Sequence, residues 1–298
     1  MPILGKLVKM YRAEGIDICT GLSCDFENLP LAAFTRLIKN GQNITNGLGI
    51  AMQEIYLLEH IFSSYHPRHI IIIGNSQGWS TLATSLILPE SSVVAIDSGS
   101  DENSLQGLDL TNRIATRAGL GKVRAVKGVS PQDVGAIVDS ELGGRVDFAF
   151  IDGDHTNDQI VLDFQAVSPT AAKDAVYLFH DVHFFNLYDG IARIEALAGR
   201  TAQILTSTPS GMALLYDSTQ HPELKEAATA FAPTLEARAV VEAEAREHLM
   251  KHTPKRRFIV LEVLRRLLKA RLHFEGKYRR QKALEGRTER FRRNAVPV

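Results

Sequence analysis

Short apolar blocks alternate with longer segments of helical spacing throughout residues 68–217. Blocks rich in β-branched residues predict strands buried on both faces, at 69–73, 93–97, 122–127, 146–152 and 175–179. The segments that follow them predict helices, near 80–88, 103–118, 131–142, 158–167 and 187–197. Strands that alternate with helices form a parallel sheet with right-handed crossovers, so the pattern predicts a doubly wound α/β domain.

The alternation ends with two more apolar blocks, 202–206 and 212–216, separated by the turn Pro209-Ser210-Gly211. Because so short a link cannot make a parallel crossover, it predicts a hairpin. The expected sheet is therefore mostly parallel and has seven strands, with one antiparallel strand at its end.

Residues 1–67 and 218–298 are predicted to be helical extensions of this single domain. Two amino-terminal groups recur at helical spacing: Leu31, Phe34, Leu37 and Ile38, then Ile55, Leu58, Ile61 and Phe62. Residues 220–250 are rich in Ala and Glu and predict a helix interrupted at Pro233.

The formal net charge of zero conceals a strong asymmetry. Residues 251–298 carry 16 Lys and Arg against 4 Asp and Glu, and 257–274 predict an amphipathic helix. We expect this helix to pack on the domain or on a second subunit, which makes a homodimer an expectation. The alternatives are peripheral contact with an anionic membrane surface or a polyanionic glycan. No nucleic-acid partner is expected, because the segment has few aromatic residues and the body is acidic.

The remaining composition is that of an ordinary globular protein, with 45% hydrophobic and 23% charged residues. No apolar run is long enough to span a bilayer, and the first residues lack the pattern of a signal peptide. Cys19 and Cys24 are expected to be ordinary reduced thiols. We therefore expect a cytoplasmic protein, at the inner face of the membrane if the basic helix binds lipid.

Candidate binding residues follow the first three strands, where an open parallel sheet binds ligands. They are Gly74-Asn75-Ser76-Gln77-Gly78-Trp79-Ser80, then Asp97-Ser98, then Gly128-Val129-Ser130. The glycines permit a tight turn and close approach of a ligand, and the Asp97 carboxylate can accept ribose hydroxyls. Alternatively, these are a plain turn, a solvated or capping Asp, and Ser130 capping the next helix. Ser76 replaces the second glycine of a dinucleotide motif, which disfavours a pyrophosphate.

Ionisable residues follow the fourth and fifth strands: Asp152, Asp154 and His155, then His180, Asp181 and His183. Neighbouring strands end side by side, so these groups are expected to converge on one rim. An imidazole there can remove a hydroxyl proton as a general base. Alternatively, Asp152 and Asp181, with His155 or water, can hold Mg²⁺, Mn²⁺ or Zn²⁺.

With these motifs the chain resembles the class I S-adenosylmethionine-dependent methyltransferases. It looks most like the branch of small-molecule and sugar O-methyltransferases whose fourth strand ends in Ile151-Asp152-Gly153-Asp154-His155 and whose fifth ends in His180-Asp181. The resemblance covers residues 50–217 and includes the terminal hairpin.

The resemblance implies a role for each motif. Residues 74–80 would pass under the methionine and ribose, Asp97 would bind the ribose hydroxyls, and residues 128–130 would border the adenine. Asp152 and His155 would lie near the sulfonium and the substrate. Asp181, with His180, would supply the base or a second metal ligand. Two departures are Ile72, where the family often has an acid, and Val182, where metal-dependent members often have Asn or Asp.

The expected function is transfer of a methyl group from S-adenosylmethionine to a hydroxyl of a sugar, glycan or other small polar metabolite. One alternative is a nicotinamide-dependent oxidoreductase, although the glycine turn and the hairpin argue against it. Others are a non-catalytic binding protein on the same fold, and a metal-dependent hydrolase or hydroxylase that uses the same rim.

Overall fold

The computed structural model describes residues 2–22, 32–45, 48–237, 239–240 and 243–244. The helices of this part of the chain are α1 (Ile3–Arg12), α2 (Met52–Ser64), α3 (Trp79–Ile87), α4 (Glu102–Arg117), α5 (Val134–Leu142), α6 (Asn157–Val167), α7 (Tyr188–Ala198) and α8 (Leu224–Phe231). The strands are β1 (Asp17–Cys19), β2 (Arg36–Lys39), β3 (Gln42–Asn43), β4 (His69–Ile73), β5 (Ser92–Asp97), β6 (Val123–Lys127), β7 (Val146–Ile151), β8 (Ala171–Phe179), β9 (Ala202–Leu205) and β10 (Met212–Leu215).

Seven strands form the main sheet, in the order β6-β5-β4-β7-β8-β10-β9. The five strands from β4 to β8 pair in parallel, and β10 pairs antiparallel with both β8 and β9. This confirms the predicted doubly wound fold with a single antiparallel strand. The position of that strand differs from the prediction, because β10 lies inside the sheet and β9 forms its edge.

Strand β4 shows why the central strands are apolar on both faces. Ile70 and Ile72 belong to one hydrophobic cluster, whereas Ile71 and Ile73 belong to the other. Successive side chains of a strand point to opposite faces, so each face needs its own covering layer. Helices α1, α2, α3, α4 and α8 contribute to the first layer, and helices α5, α6 and α7 contribute to the second.

The amino-terminal residues are not wholly helical, which corrects one prediction. Strands β1, β2 and β3 form a small antiparallel sheet, and the helix predicted from the spacing of Phe34, Leu37 and Ile38 is wrong. Thr35 and Leu37 are buried, whereas Arg36 and Ile38 are half-buried, so the residues alternate as in a strand. Leu31 lies outside the described residues. The second predicted helix is confirmed as α2.

These amino-terminal elements share the core of the sheet. Residues Met1–Leu235 form one compact unit, and Leu7 and Tyr11 of α1 are fully buried in the cluster that contains Phe148 of β7. Helix α8 ends two residues before Pro233, close to the predicted interruption. The predicted basic helix at 257–274 and Cys24 lie outside the described residues. No described helix has the length and apolar character that a membrane span requires.

Candidate active site

A cavity of about 950 Å³ opens at the carboxyl ends of the parallel strands β4 to β8. Its wall contains all but two of the candidate site residues singled out from the sequence. They are Gly74, Asn75, Ser76, Gln77, Trp79, Ser80, Asp97, Ser98, Gly128, Val129, Ser130, Asp152, Asp154, His155, His180 and Asp181. The exceptions are His183 and Gly78, and the φ of 82° at Gly78 makes the turn into α3 beside Thr111.

Gly74 allows two strand ends to approach each other. Its φ is 98°, and a Cβ atom there would lie 1.9 Å from the carbonyl oxygen of Asp152. Its backbone N–H donates to the carbonyl of Ile96 on β5, at 2.8 Å. A side chain at this position would therefore separate β4 from the acidic end of β7.

Asp97 stabilises the glycine-bearing turn from the end of β5. One carboxylate oxygen accepts hydrogen bonds from the backbone N–H groups of Asn75 and Ser76, at 3.1 and 2.9 Å. The other oxygen accepts from the N–H of Gly99, at 3.1 Å. A carboxylate offers about four acceptor positions, so Asp97 can hold this turn and still accept from a ligand hydroxyl.

Ser130 does not cap the following helix, which removes that alternative. Its hydroxyl donates to Oδ1 of Asp163 at 2.5 Å, and Gln159 donates to the same oxygen. Burial raises the pKa of the Asp163 carboxyl, against the lowering effect of these two donors. Gly128, Val129 and Ser130 line the cavity.

Asp152, His155 and Asp181 converge at the floor of the cavity. Nε2 of His155 lies 3.0 Å from Oδ2 of Asp181 and 3.5 Å from Oδ1 of Asp152. Each residue offers one ligand atom within 4.8 Å of the others. These are the three residues that the sequence indicated for a divalent cation.

His180 reaches the same carboxylates from β8. Its Nδ1 lies 3.0 Å from Oδ1 of Asp152 and 3.4 Å from Oδ2 of Asp181. Nδ1 of His180 and Nε2 of His155 are both buried, and neither makes a hydrogen bond of acceptable geometry within the described residues. Two imidazole nitrogens thus lie within ion-pair distance of carboxylate oxygens without being aligned for proton sharing.

The two histidines are strongly basic in this arrangement. Burial disfavours the charged ring of His155. The nearby carboxylates of Asp152 and Asp181 stabilise that charge more strongly, and they raise the pKa of His155 to about 9. At His180 burial likewise opposes the charge, and Asp152 and Glu54 still raise its pKa well above 6.5. Burial disfavours the charge of Asp181 too, yet the two imidazoles hold the pKa of its carboxyl well below the ordinary value.

Glu54 on α2 belongs to this network, and the sequence analysis missed it. Oε2 accepts from the backbone N–H of Ala51 and lies 3.0 Å from Nε2 of His180. Oε1 accepts from the N–H and hydroxyl of Ser210, in the β9–β10 turn. A signal was available, because Glu54 precedes Leu57, Leu58 and Ile61 at helical spacing and thus places a carboxylate on an apolar face.

Aromatic side chains form the mouth of the cavity. Phe185 stacks on His155 with ring centres 4.4 Å apart, and Phe184 packs edge-on against both Phe185 and Phe34. Phe184 and Phe185 remain 45% and 46% exposed. His183, expected on the rim, instead places Nδ1 2.9 Å from the Tyr188 hydroxyl and is absent from the cavity wall.

Part of the chain that forms this site matches a known protein family. Residues 71–182 match the model of a methyltransferase domain. No curated protein matches the chain. One similar solved structure is a putative caffeoyl-CoA O-methyltransferase from Staphylococcus aureus. The two sequences are 15% identical, the match covers 56% of this chain and 84% of that chain, and the TM-score is 0.48. Another is an O-methyltransferase from Bacillus cereus in complex with SAH. The two sequences are 17% identical, the match covers 72% of this chain and 90% of that chain, and the TM-score is 0.47.

Proposed function

Because residues 71–182 match a methyltransferase domain, we propose that this protein is a class I S-adenosylmethionine-dependent methyltransferase. It methylates a hydroxyl of a sugar or another small polar metabolite, with a divalent cation at the acceptor. The observation that carries the proposal is the convergence of Asp152, His155 and Asp181 beside the cavity. A methyl acceptor that is a hydroxyl must lose a proton, and this cluster lies where that proton would leave.

The cavity suits S-adenosylmethionine, which supplies the methyl group. Its volume of about 950 Å³ falls in the range of small-molecule sites and is large enough for a cofactor and an acceptor together. The remaining acceptor position of Asp97 suits a ribose hydroxyl, and residues 128–130 would border the adenine. The glycine-bearing turn between them leaves room for the chain that carries the sulfonium.

The donor set at the cavity floor suits a divalent cation. Two carboxylate oxygens and an imidazole nitrogen are a mixed set that Mg²⁺, Mn²⁺ or Zn²⁺ accepts, and a buried imidazole nitrogen without a hydrogen bond is a ligand atom ready for use. When bound, the cation would lower the pKa of the acceptor hydroxyl. Asp152, His155 and Asp181 would hold it, and Glu54 orients His180 next to Asp152.

The aromatic mouth supports an acceptor that has a ring. Phe184 and Phe185 present apolar faces to solvent beside His155, and exposed aromatic surface at a cavity entrance favours a partner that covers it. The C–H face of a sugar ring is such a partner, and it carries hydroxyls toward the carboxylates. This supports an oxygen acceptor over a plain amine.

The proposal is tested with S-adenosylhomocysteine and NAD in parallel calorimetric titrations, followed by methyl transfer to a panel of sugars and phenols. We expect micromolar binding of S-adenosylhomocysteine, no binding of NAD, and a methylated hydroxyl product. Binding of NAD alone would favour an oxidoreductase. Binding of S-adenosylhomocysteine without turnover of any hydroxyl acceptor, while amines are methylated, would overturn the oxygen assignment.

A further inference from the structure

Arg36 places a cationic group in the wall of the cavity. It lies on β2, opposite Cys19 of β1, and its side chain is half-buried. Its Nη1 atom is shielded from solvent and has no hydrogen-bond partner among the residues that the structure describes. Buried polar groups are almost always paired, so a buried guanidinium nitrogen beside a cavity indicates a partner that arrives with the ligand.

Among the described residues that line the cavity, Arg36 is the single Lys or Arg. The basic rings of His155 and His180 also lie in the wall, but both already face the carboxylates of Asp152 and Asp181. The wall is otherwise rich in carboxylates: Asp97, Asp152, Asp154, Asp163 and Asp181. An anionic group of a bound ligand would therefore be drawn to Arg36 and repelled by much of the remaining wall.

The small amino-terminal sheet brings Arg36 to the side of the cavity that carries the glycine-bearing turn. The next residue along β2, Leu37, donates its N–H to the hydroxyl of Thr45, which also lines the cavity. The neighbouring carbonyl of Ile44 accepts from Asn103, and the Asn103 carbonyl accepts from Gln77. This chain of bonds attaches the sheet to the turn formed by residues 74–78.

We propose that Arg36 binds the α-carboxylate of the methionine part of S-adenosylmethionine. The inference rests on the proposed function, in which adenine and ribose lie at Gly128–Ser130 and Asp97 and the methionine extends past the glycine-bearing turn. A guanidinium presents parallel N–H groups that match both oxygens of a carboxylate. The cofactor's carboxylate would thus be paired with the one arginine of a wall rich in carboxylates.

The test compares two ligands that differ only at the methionine end. S-adenosylhomocysteine carries the carboxylate, whereas 5′-methylthioadenosine lacks the whole amino-acid part. By calorimetry, we expect Arg36→Met to weaken S-adenosylhomocysteine about 10- to 100-fold, the usual range for a charge-assisted pair, while methylthioadenosine changes by less than about twofold. Arg36→Lys should weaken S-adenosylhomocysteine by an intermediate factor, because lysine keeps the positive charge but lacks the two parallel N–H groups of the guanidinium.

Lys39→Met is the matched control, since Lys39 lies on the same strand and is absent from the cavity wall. It should leave both affinities unchanged. The assignment is overturned if Arg36→Met weakens both ligands equally or leaves the affinity for S-adenosylhomocysteine unchanged. It is also overturned if Arg36→Met raises only the KM for the acceptor, because Arg36 would then bind a carboxylate of the acceptor. If the unmodified protein binds neither ligand, the proposed function itself fails.

Discussion

Nε2 of His180 lies 3.0 Å from Oε2 of Glu54, and both side chains are almost fully buried. The Glu54 carboxylate also accepts from Ala51 and Ser210, so it acts as an acceptor throughout and accepts a hydrogen bond from Nε2–H of His180. Nδ1 is then the atom that His180 turns toward Asp152. A side chain of α2 thereby sets the orientation of a ring that directly follows β8, as carboxylates do behind histidines in metal sites.

Replacing Glu54 with Gln should disturb the active site more than the fold. The amide keeps the size of the side chain, but one of its two acceptor oxygens becomes a donor NH₂ group, so either His180 or Ser210 loses its acceptor. We expect kcat to fall about 10- to 100-fold with little change in the affinity for S-adenosylhomocysteine. Steady-state kinetics and calorimetry provide both readings.

Glu59→Gln on the same helix is the control, because Glu59 lies outside this network. Histidine ¹⁵N spectra of the wild type and Glu54→Gln should show a change at His180 alone. An unchanged kcat together with an unchanged His180 spectrum would contradict the positioning role.

Removal of divalent cations should abolish activity reversibly. The ligand atoms of Asp152, His155 and Asp181 belong to side chains within 4.8 Å of one another, so a chelator competes directly with them. We expect activity to disappear after dialysis against EDTA and to return with Mg²⁺, Mn²⁺ or Zn²⁺. Asp152→Ala should abolish turnover and leave the fold intact, as judged by circular dichroism. Full activity after chelation would instead favour an imidazole as the general base.

Replacing Gly74 with Ala should damage both stability and binding. A Cβ atom would lie 1.9 Å from the backbone oxygen of Asp152, in a residue whose φ of 98° is already unfavourable for L side chains. We expect a loss of several kcal/mol in the free energy of unfolding, measured by urea denaturation, and weaker binding of S-adenosylhomocysteine.

Gly119→Ala separates the clash from the backbone strain. Gly119 also has a positive φ, 71°, but nothing lies within 4 Å of its hypothetical Cβ. Its replacement should cost about 1–2 kcal/mol, the strain alone. If the two variants lost the same stability, the close approach of β4 and β7 would not be the reason for the glycine.

The metal-free protein should lose stability as the pH rises through the titration of His155. Its pKa is raised from 6.5 to about 9, so its proton stabilises the folded state. That contribution is fully present below pH 6.5 and is lost as the pH rises through about 9, with a slope of at most about 1.4 kcal/mol per pH unit. Urea denaturation across this range measures the slope.

His155→Gln should flatten this slope in the metal-free protein. His66→Gln, which removes an exposed imidazole far along the chain from the rim, should leave it unchanged. A slope that persists in His155→Gln would assign the proton uptake to His180 instead. Added cation should compete with the proton, so its affinity should rise with pH over the same interval.

The sequence by itself determined the main sheet and the site at its edge. The central strands are apolar on both faces, and that local pattern distinguishes them from surface segments. Parallel strands end side by side, so Asp152 at the end of β7 and Asp181 after β8 had to meet. Turn residues such as Gly74 carry their own local signal, because a tight turn at positive φ favours glycine.

Only the tertiary structure decided which other residues complete the site. Glu54 contacts His180, which lies 126 positions away in the sequence. Arg36 lines the cavity from a small sheet, although the spacing of the neighbouring apolar residues predicted a helix there. Their roles depend on how the amino-terminal elements pack against the main sheet. Such long-range contacts have no periodicity along the chain, so a pattern of neighbouring residues predicts the strand ends and does not predict what is packed over them.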